Sequence, residues 1–142
     1  MIQKDRKYLE FIEFLVAFID ELNDLAMEDA AILVEGQRDS RALVDLGYRG
    51  RILTRVSLSS ARVDASLKGV KSVVILTDMD KEGRRLAARY IDFFVPRGVK
   101  TSMTQRKRLK RASHGVFLHV ENLARFAPQV PEIRGLTEKM RL

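Results

Sequence analysis

Two short runs, Ala30-Ala31-Ile32-Leu33-Val34 and Val73-Val74-Ile75-Leu76-Thr77, hold apolar side chains at consecutive positions without polar alternation. A strand turns successive side chains to opposite faces, so such a run must be covered on both, as in a parallel sheet between helix layers. Arg51-Ile52-Leu53-Thr54 and Gly115-Val116-Phe117-Leu118-His119-Val120 read as two further strands. The intervening segments are amphipathic and predict helices over residues 40–46, roughly 59–67, 81–94 and 104–111. In the third of these, Leu86, Ala87, Tyr90, Ile91 and Phe94 form one stripe that should lie on the sheet. Alternation of strands and helices predicts an α/β fold, a Rossmann-like parallel sheet of about four strands flanked by helices.

Residues 4–27 precede this pattern and place Tyr8, Phe11, Ile12, Leu15, Phe18, Ile19, Leu22 and Leu25 at helical spacing. Leu9, Phe14 and Val16 fall outside that stripe, so the helix needs a second contact, such as a homodimer through this helix or a larger processing complex. The expected organisation is an N-terminal amphipathic helix at 1–28, an α/β domain at 29–127 and a C-terminal tail at 128–142. A chain of 142 residues fits one domain that needs no disulfide or structural metal to fold. The absence of Cys excludes thiolate zinc sites, iron–sulfur clusters and thiol nucleophiles. The longest apolar stretch, residues 11–19, contains Glu13 and falls far short of a membrane span. With no signal-peptide pattern either, a cytoplasmic protein without membrane contact is expected.

Acidic residues follow two of the strands. The first runs into Glu35-Gly36-Gln37-Arg38-Asp39 and the third into Asp78-Met79-Asp80-Lys81-Glu82-Gly83. Ligands of open α/β sheets bind beyond the carboxyl ends of the strands, and there Asp78 and Asp80 would project together with Glu35 approaching from a neighbouring strand. Two like charges ~4 Å apart repel by about 4 kcal/mol at an effective dielectric near 20, so such a cluster calls for protons or a cation. All-oxygen ligands favour Mg²⁺ or Mn²⁺ over Zn²⁺. Gly36 and Gly83 would let a phosphate approach the backbone, and the following helix N-termini favour anions. Taken singly, each acid also has a local reading: Asp-x-Asp as turn and cap chemistry, Asp39 as an N-cap before Ser40, and Glu82 as either a dipole-complementing first-turn residue or a further metal or proton-transfer group.

Together, Ile32-Leu33-Val34-Glu35-Gly36-Gln37-Arg38-Asp39 and Val74-Ile75-Leu76-Thr77-Asp78-Met79-Asp80-Lys81-Glu82-Gly83-Arg84 resemble the Toprim domain over roughly residues 29–121. That domain is shared by type IA and II topoisomerases, bacterial primases, overcoming-lysogenisation-defect nucleases, recombination mediator proteins and the ribonuclease M class that matures 5S rRNA. The short chain with its basic end looks most like small stand-alone archaeal Toprim proteins. The resemblance implies that Glu35 is a general acid/base or metal ligand, that Asp78 and Asp80 bind Mg²⁺, and that Glu82 assists. Arg84 stands where type IA topoisomerases carry another Glu. No room exists for their separate tyrosine domain; Tyr8 and Tyr90 read as packed helix residues and Tyr48 as a loop residue.

Charge is uneven along the chain. Residues 1–95 hold 15 Lys+Arg against 16 Asp+Glu, whereas 96–142 hold 11 against 3. Arg106, Lys107, Arg108, Lys110 and Arg111 would surround one short helix, mostly facing solvent, and contact phosphates without sequence preference, together with Lys81. Little aromatic interleaving accompanies them. The five-residue spacing of His114 and His119 suits no metal pair, and His119 reads as packed or capping. The expected function is Mg²⁺-dependent action on nucleic-acid phosphodiesters, best matched by an endonuclease on structured RNA, with RNA favoured over DNA. The alternatives are a non-catalytic nucleic-acid-binding or recruiting module and, last, a phosphohydrolase of small esters.

Overall fold

A computed structural model describes residues 2–116 and 119–141. Helix α1 (Ile2–Met27) leads into strand β1 (Ala30–Leu33), helix α2 (Gln37–Asp45) and strand β2 (Arg51–Leu53). A 3₁₀ turn at Val56–Leu58 comes next, the short helix α3 (Val63–Ser66) occupies only part of the helix expected over roughly 59–67, and β3 (Ser72–Ile75) follows. Helix α4 (Lys81–Phe94), strand β4 (Lys100–Ser102), helix α5 (Thr104–Ala112), a 3₁₀ stretch at Val120–Gln129 and helix α6 (Val130–Arg141) complete the chain.

The four strands form one sheet in the order β2-β1-β3-β4, and every neighbouring pair is parallel. Ile32 and Val34 pack with α1, α2 and α5 on one face, and Ala31 and Leu33 pack with α4 on the other, so both faces of the central strands are buried. This is the origin of the unbroken apolar runs. The fourth strand differs from expectation. It is the short, half-exposed Lys100–Ser102, while Gly115 and Val116 lie in a turn and His119 precedes the 3₁₀ stretch; Phe117 and Leu118 lie outside the described residues.

Part of the extra apolar surface of α1 is met within the chain, while Leu9 stays exposed. Val16 is buried and Phe14 packs against the same core, which also contains Phe126, Val130 and Ile133. Residues 128–142, expected as a tail, carry α6, and Arg134 pairs with Asp20 of α1 at 2.9 Å. No helix of the described residues is long and apolar enough to cross a membrane.

Tyr48 lies in the loop between α2 and β2, as expected, yet it does not face solvent. Its side chain is buried against α1 and its hydroxyl donates to the Arg51 carbonyl at 3.1 Å. Burial pushes its phenol from the ordinary 10.0 up to about 12. A folded value above the unfolded one means that this stabilisation is complete below pH 10.0 and is lost as the pH rises through about 12. Two units correspond to about 3 kcal/mol. In urea titrations across this range, wild type should lose stability more steeply than Tyr48→Phe, and parallel losses would contradict the assignment.

Candidate metal and phosphodiester site

The strand order changes direction between β1 and β3, and the crevice beyond their carboxyl ends is where ligands of such sheets bind. Leu33 is in register with Ile75, which brings Glu35 beside the loop that carries Asp78 and Asp80. The Asp78 N–H donates to Glu35 Oε2 at 2.7 Å. Asp78 Oδ1 accepts from the Val120 N–H at 2.8 Å, and its Oδ2 lies 3.2 Å from His119 Nδ1. Asp80 caps α4, its Oδ1 accepting from the Gly83 N–H at 2.7 Å, while its Oδ2 lies 3.9 Å from His119 Nδ1. One ligand atom from each of Asp78, Asp80 and His119 falls within 4.8 Å of the others.

Electrostatics reflect this crowding. Burial raises the Glu35 carboxyl to about 7, and the carboxylates of Asp78 and Asp39 add to the rise. Burial also raises Asp39, with Asp78 next in importance. The hydrogen bond of its ring to the Asp78 carboxylate holds His119 above the ordinary imidazole value although the ring is largely exposed. Carboxylates so close that one resists ionisation form a donor set that suits a hard divalent cation, and the adjacent imidazole is compatible with Mn²⁺ as well.

Arg106 occupies a different place from the one its sequence context suggests. It is 6% exposed, and its guanidinium donates from Nε to the Thr77 carbonyl at 3.1 Å and from Nη2 to the Asp78 carbonyl at 2.6 Å. It therefore fixes the loop rather than facing solvent, and it sets one positive charge behind the acids. Removing it leaves two carbonyls unpaired, so Arg106→Met should lower stability by about 2–4 kcal/mol in urea titrations. Arg106→Lys should restore only part, because an ammonium lacks the planar fork that reaches both oxygens.

Arg108 is likewise engaged, with Nη1 at 2.7 and 2.5 Å from the two carboxylate oxygens of Glu21 on α1. Lys107, Lys110 and Arg111 are exposed, as is Lys81. Glu82 pairs with Arg85 at 2.7 Å and stands apart from the ligand cluster. Asp39 is not the N-cap of α2; it sits in the first turn and accepts from the Gly36 N–H at 3.1 Å. A Cβ on Gly36 would meet nothing within 4 Å, so packing does not demand glycine there. Gly83 is buried and its N–H is committed to Asp80, so its smallness serves the fold of the loop. The residue that sequence reasoning missed is His119, which lies 41 positions from Asp78 and carries no local motif.

A covered parallel sheet with clustered acids at its switch point defines an α/β protein whose ligand crevice suits a divalent cation. Residues 30–113, more than half of the chain, match the Toprim domain. A UPF0292 protein of Methanocaldococcus jannaschii is 33% identical over 115 residues, 80% of this chain and 84% of the relative. One from Pyrococcus abyssi is 34% identical over 116 residues, covering 82% and 86%. One from Methanosarcina barkeri is 34% identical over 136 residues, covering 94% and 92%. Among solved structures, a protein from Aquifex aeolicus aligns with a TM-score of 0.63 at 26% identity, covering 75% of this chain and 94% of that one. The chain belongs to the Toprim domain family, and the similar small proteins named from M. jannaschii, P. abyssi and M. barkeri are all archaeal. Membership brings with it a divalent metal and a role in nucleic-acid processing.

Proposed function

We propose that this protein is a Mg²⁺-dependent endonuclease that cuts phosphodiesters of structured RNA, similar in activity to the ribonuclease M class. The observation that carries this reading is the convergence of Asp78, Asp80 and His119 beside a Glu35 carboxyl poised near neutrality. Asp78 and Asp80, with Glu35 alongside, would hold the ion; Mn²⁺ would substitute. A bound divalent ion lowers the pKa of water and neutralises charge on phosphoryl oxygens. Glu35 takes or returns the proton at its carboxyl, a role suited to a partly buried acid whose affinity for protons is raised. Arg106 keeps the Asp78 backbone in place. Lys107, Lys110, Arg111 and Lys81 supply exposed positive charge for phosphates away from the reacting bond.

One observation favours a second reading. Asp78 and Asp80 each spend an oxygen on a backbone N–H, as residues of a structural loop would, which suits a non-catalytic nucleic-acid-binding module. End-labelled structured RNA, single-stranded DNA and duplex DNA, each incubated with Mg²⁺ or with chelator, separate the two. The endonuclease yields Mg²⁺-dependent cleavage of the RNA. Salt-sensitive retention without products in every lane supports the module instead.

A further inference from the structure

A groove of about 240 Å³ separates α4 from the 3₁₀ turn at Val56–Leu58 and is lined by Arg55, Leu58, Leu86, Arg89, Tyr90 and Phe93. Leu86, Arg89, Tyr90 and Phe93 recur at i, i+3, i+4 and i+7, so they share one face of α4. Arg55 lies just beyond the carboxyl end of β2, on the same edge of the sheet as the acids. Two exposed guanidinium groups thus flank half-buried rings.

Those arginines differ from their neighbours. Arg85 is paired with Glu82, and Arg97 lies over the Phe93 ring at 3.7 Å and donates to the Phe93 carbonyl. Among the described residues Arg55 and Arg89 make no ion pair or side-chain hydrogen bond, and Tyr90 makes no ring contact. Burial raises the Tyr90 phenol, Arg55 lowers it and the Glu35 carboxyl raises it, so the ring stands within the fields of both the groove and the acidic site. Tyr90 is nine residues after Lys81, ~13 Å along the helix from its start beside Asp80.

Exposed cations beside a half-buried aromatic ring that packs on the core with its outer side in the groove match a ligand with alternating negative groups and flat rings. A duplex keeps its bases stacked inside and could offer only the phosphates. An unpaired strand offers both, and its bases stack on aromatic side chains with little regard to sequence. We infer that this groove seats an unpaired nucleotide of the bound strand, with its base on Tyr90 and the flanking phosphates on Arg55 and Arg89. This deepens the nucleic-acid reading of the acidic site and rests on it: the groove holds the strand at a nucleotide removed from the one whose phosphodiester reaches Asp78. It also supplies the aromatic partner that the basic segment of α5 lacks.

Fluorescence anisotropy of the full chain with labelled oligouridylate, oligodeoxythymidylate and a duplex, all in chelator, tests this. Either single strand should bind more tightly than the duplex. Tyr90→Ala should weaken single-strand binding about tenfold, and Tyr90→Phe should restore it. Tyr90→Leu keeps the apolar volume and should bind as weakly as Tyr90→Ala, so it serves if the alanine variant fails to fold. Joint replacement of Arg55 and Arg89 by Ala should flatten the dependence of log affinity on log salt by about 1.4, at ~0.7 per phosphate lost from a single strand. Wild-type binding by folded Tyr90→Leu or by the double arginine variant overturns the proposal, as does a preference for duplex or no binding of either strand. Mg²⁺-dependent cleavage by wild type is scored separately. Cleavage that persists while the groove variants bind normally removes the groove and leaves the acidic site; binding moved by Tyr90 without cleavage does the reverse.

Discussion

Gly83→Ala destabilises the protein by about 3 kcal/mol or more, the scale of a steric insertion into a packed site. The sign is diagnostic, because alanine in a helix is ordinarily better than glycine by roughly 0.5–1 kcal/mol. Here an added Cβ would collide with the carbonyl oxygen of Asp78, against which the first turn of α4 is packed. That turn is held on every side: the Thr77 hydroxyl donates to the Gly83 carbonyl at 2.6 Å, and the Gly83 N–H donates to Asp80. Arg106 grips the Asp78 carbonyl from α5. The collision therefore moves either Asp78 or α4, and both outcomes separate the acids. A thermal melt together with a cleavage assay reads the effect, and a variant as stable and as active as wild type would contradict this packing.

Asp78→Asn is expected to lower Mg²⁺-dependent cleavage by roughly a thousandfold, within the range seen when a group central to proton and charge handling is removed. The substitution is isosteric, and an amide oxygen still accepts from the Val120 N–H, so the fold should survive with a melting temperature close to wild type. What disappears is the negative charge facing Asp80 and His119. Comparing cleavage rates and melting curves of the same preparations checks both halves. Full activity in a folded Asp78→Asn protein would remove the catalytic assignment.

Much of this was legible in the sequence wherever local pattern and burial coincide. The strands at Ile32 and Ile75 are legible because both their faces are covered, and α4 because its apolar stripe begins right after the Asp80 cap. Glu35, Asp78 and Asp80 are legible because each follows a central strand end. The rest depends on distant partners. Lys100–Ser102 is a three-residue edge strand of polar composition, so it carries no apolar signature. Arg106 is buried because its partners are backbone carbonyls 28 and 29 residues away, and one sequence position among five basic ones gives no hint of that. His119 is drawn to Asp78 by a chain reversal in which His114 and Gly115 both take positive φ, a conformation with no apolar periodicity. Tyr48 looks like a loop residue between two glycines, yet α1 covers it.

The charge asymmetry also takes on a different meaning in three dimensions. Of the basic residues on α5, Arg106 serves the acidic loop and Arg108 serves Glu21, which leaves Lys107, Lys110 and Arg111 facing solvent. Arg55 and Arg89, from the nearly neutral part of the chain, stand exposed beside the Tyr90 groove. Exposed positive charge is thus contributed by both parts of the sequence.

Asp78 and Asp80, with Glu35 alongside, are proposed to hold a divalent ion, and Mn²⁺ electron paramagnetic resonance reads that binding without reference to any substrate. Titration of Mn²⁺ into the wild-type protein should show loss of the free-ion signal to a single site, with the signal returning as Mg²⁺ is added in competition. A folded protein carrying both Asp78→Asn and Asp80→Asn should leave the free-ion signal undiminished. Equal Mn²⁺ uptake by that double variant would contradict the account.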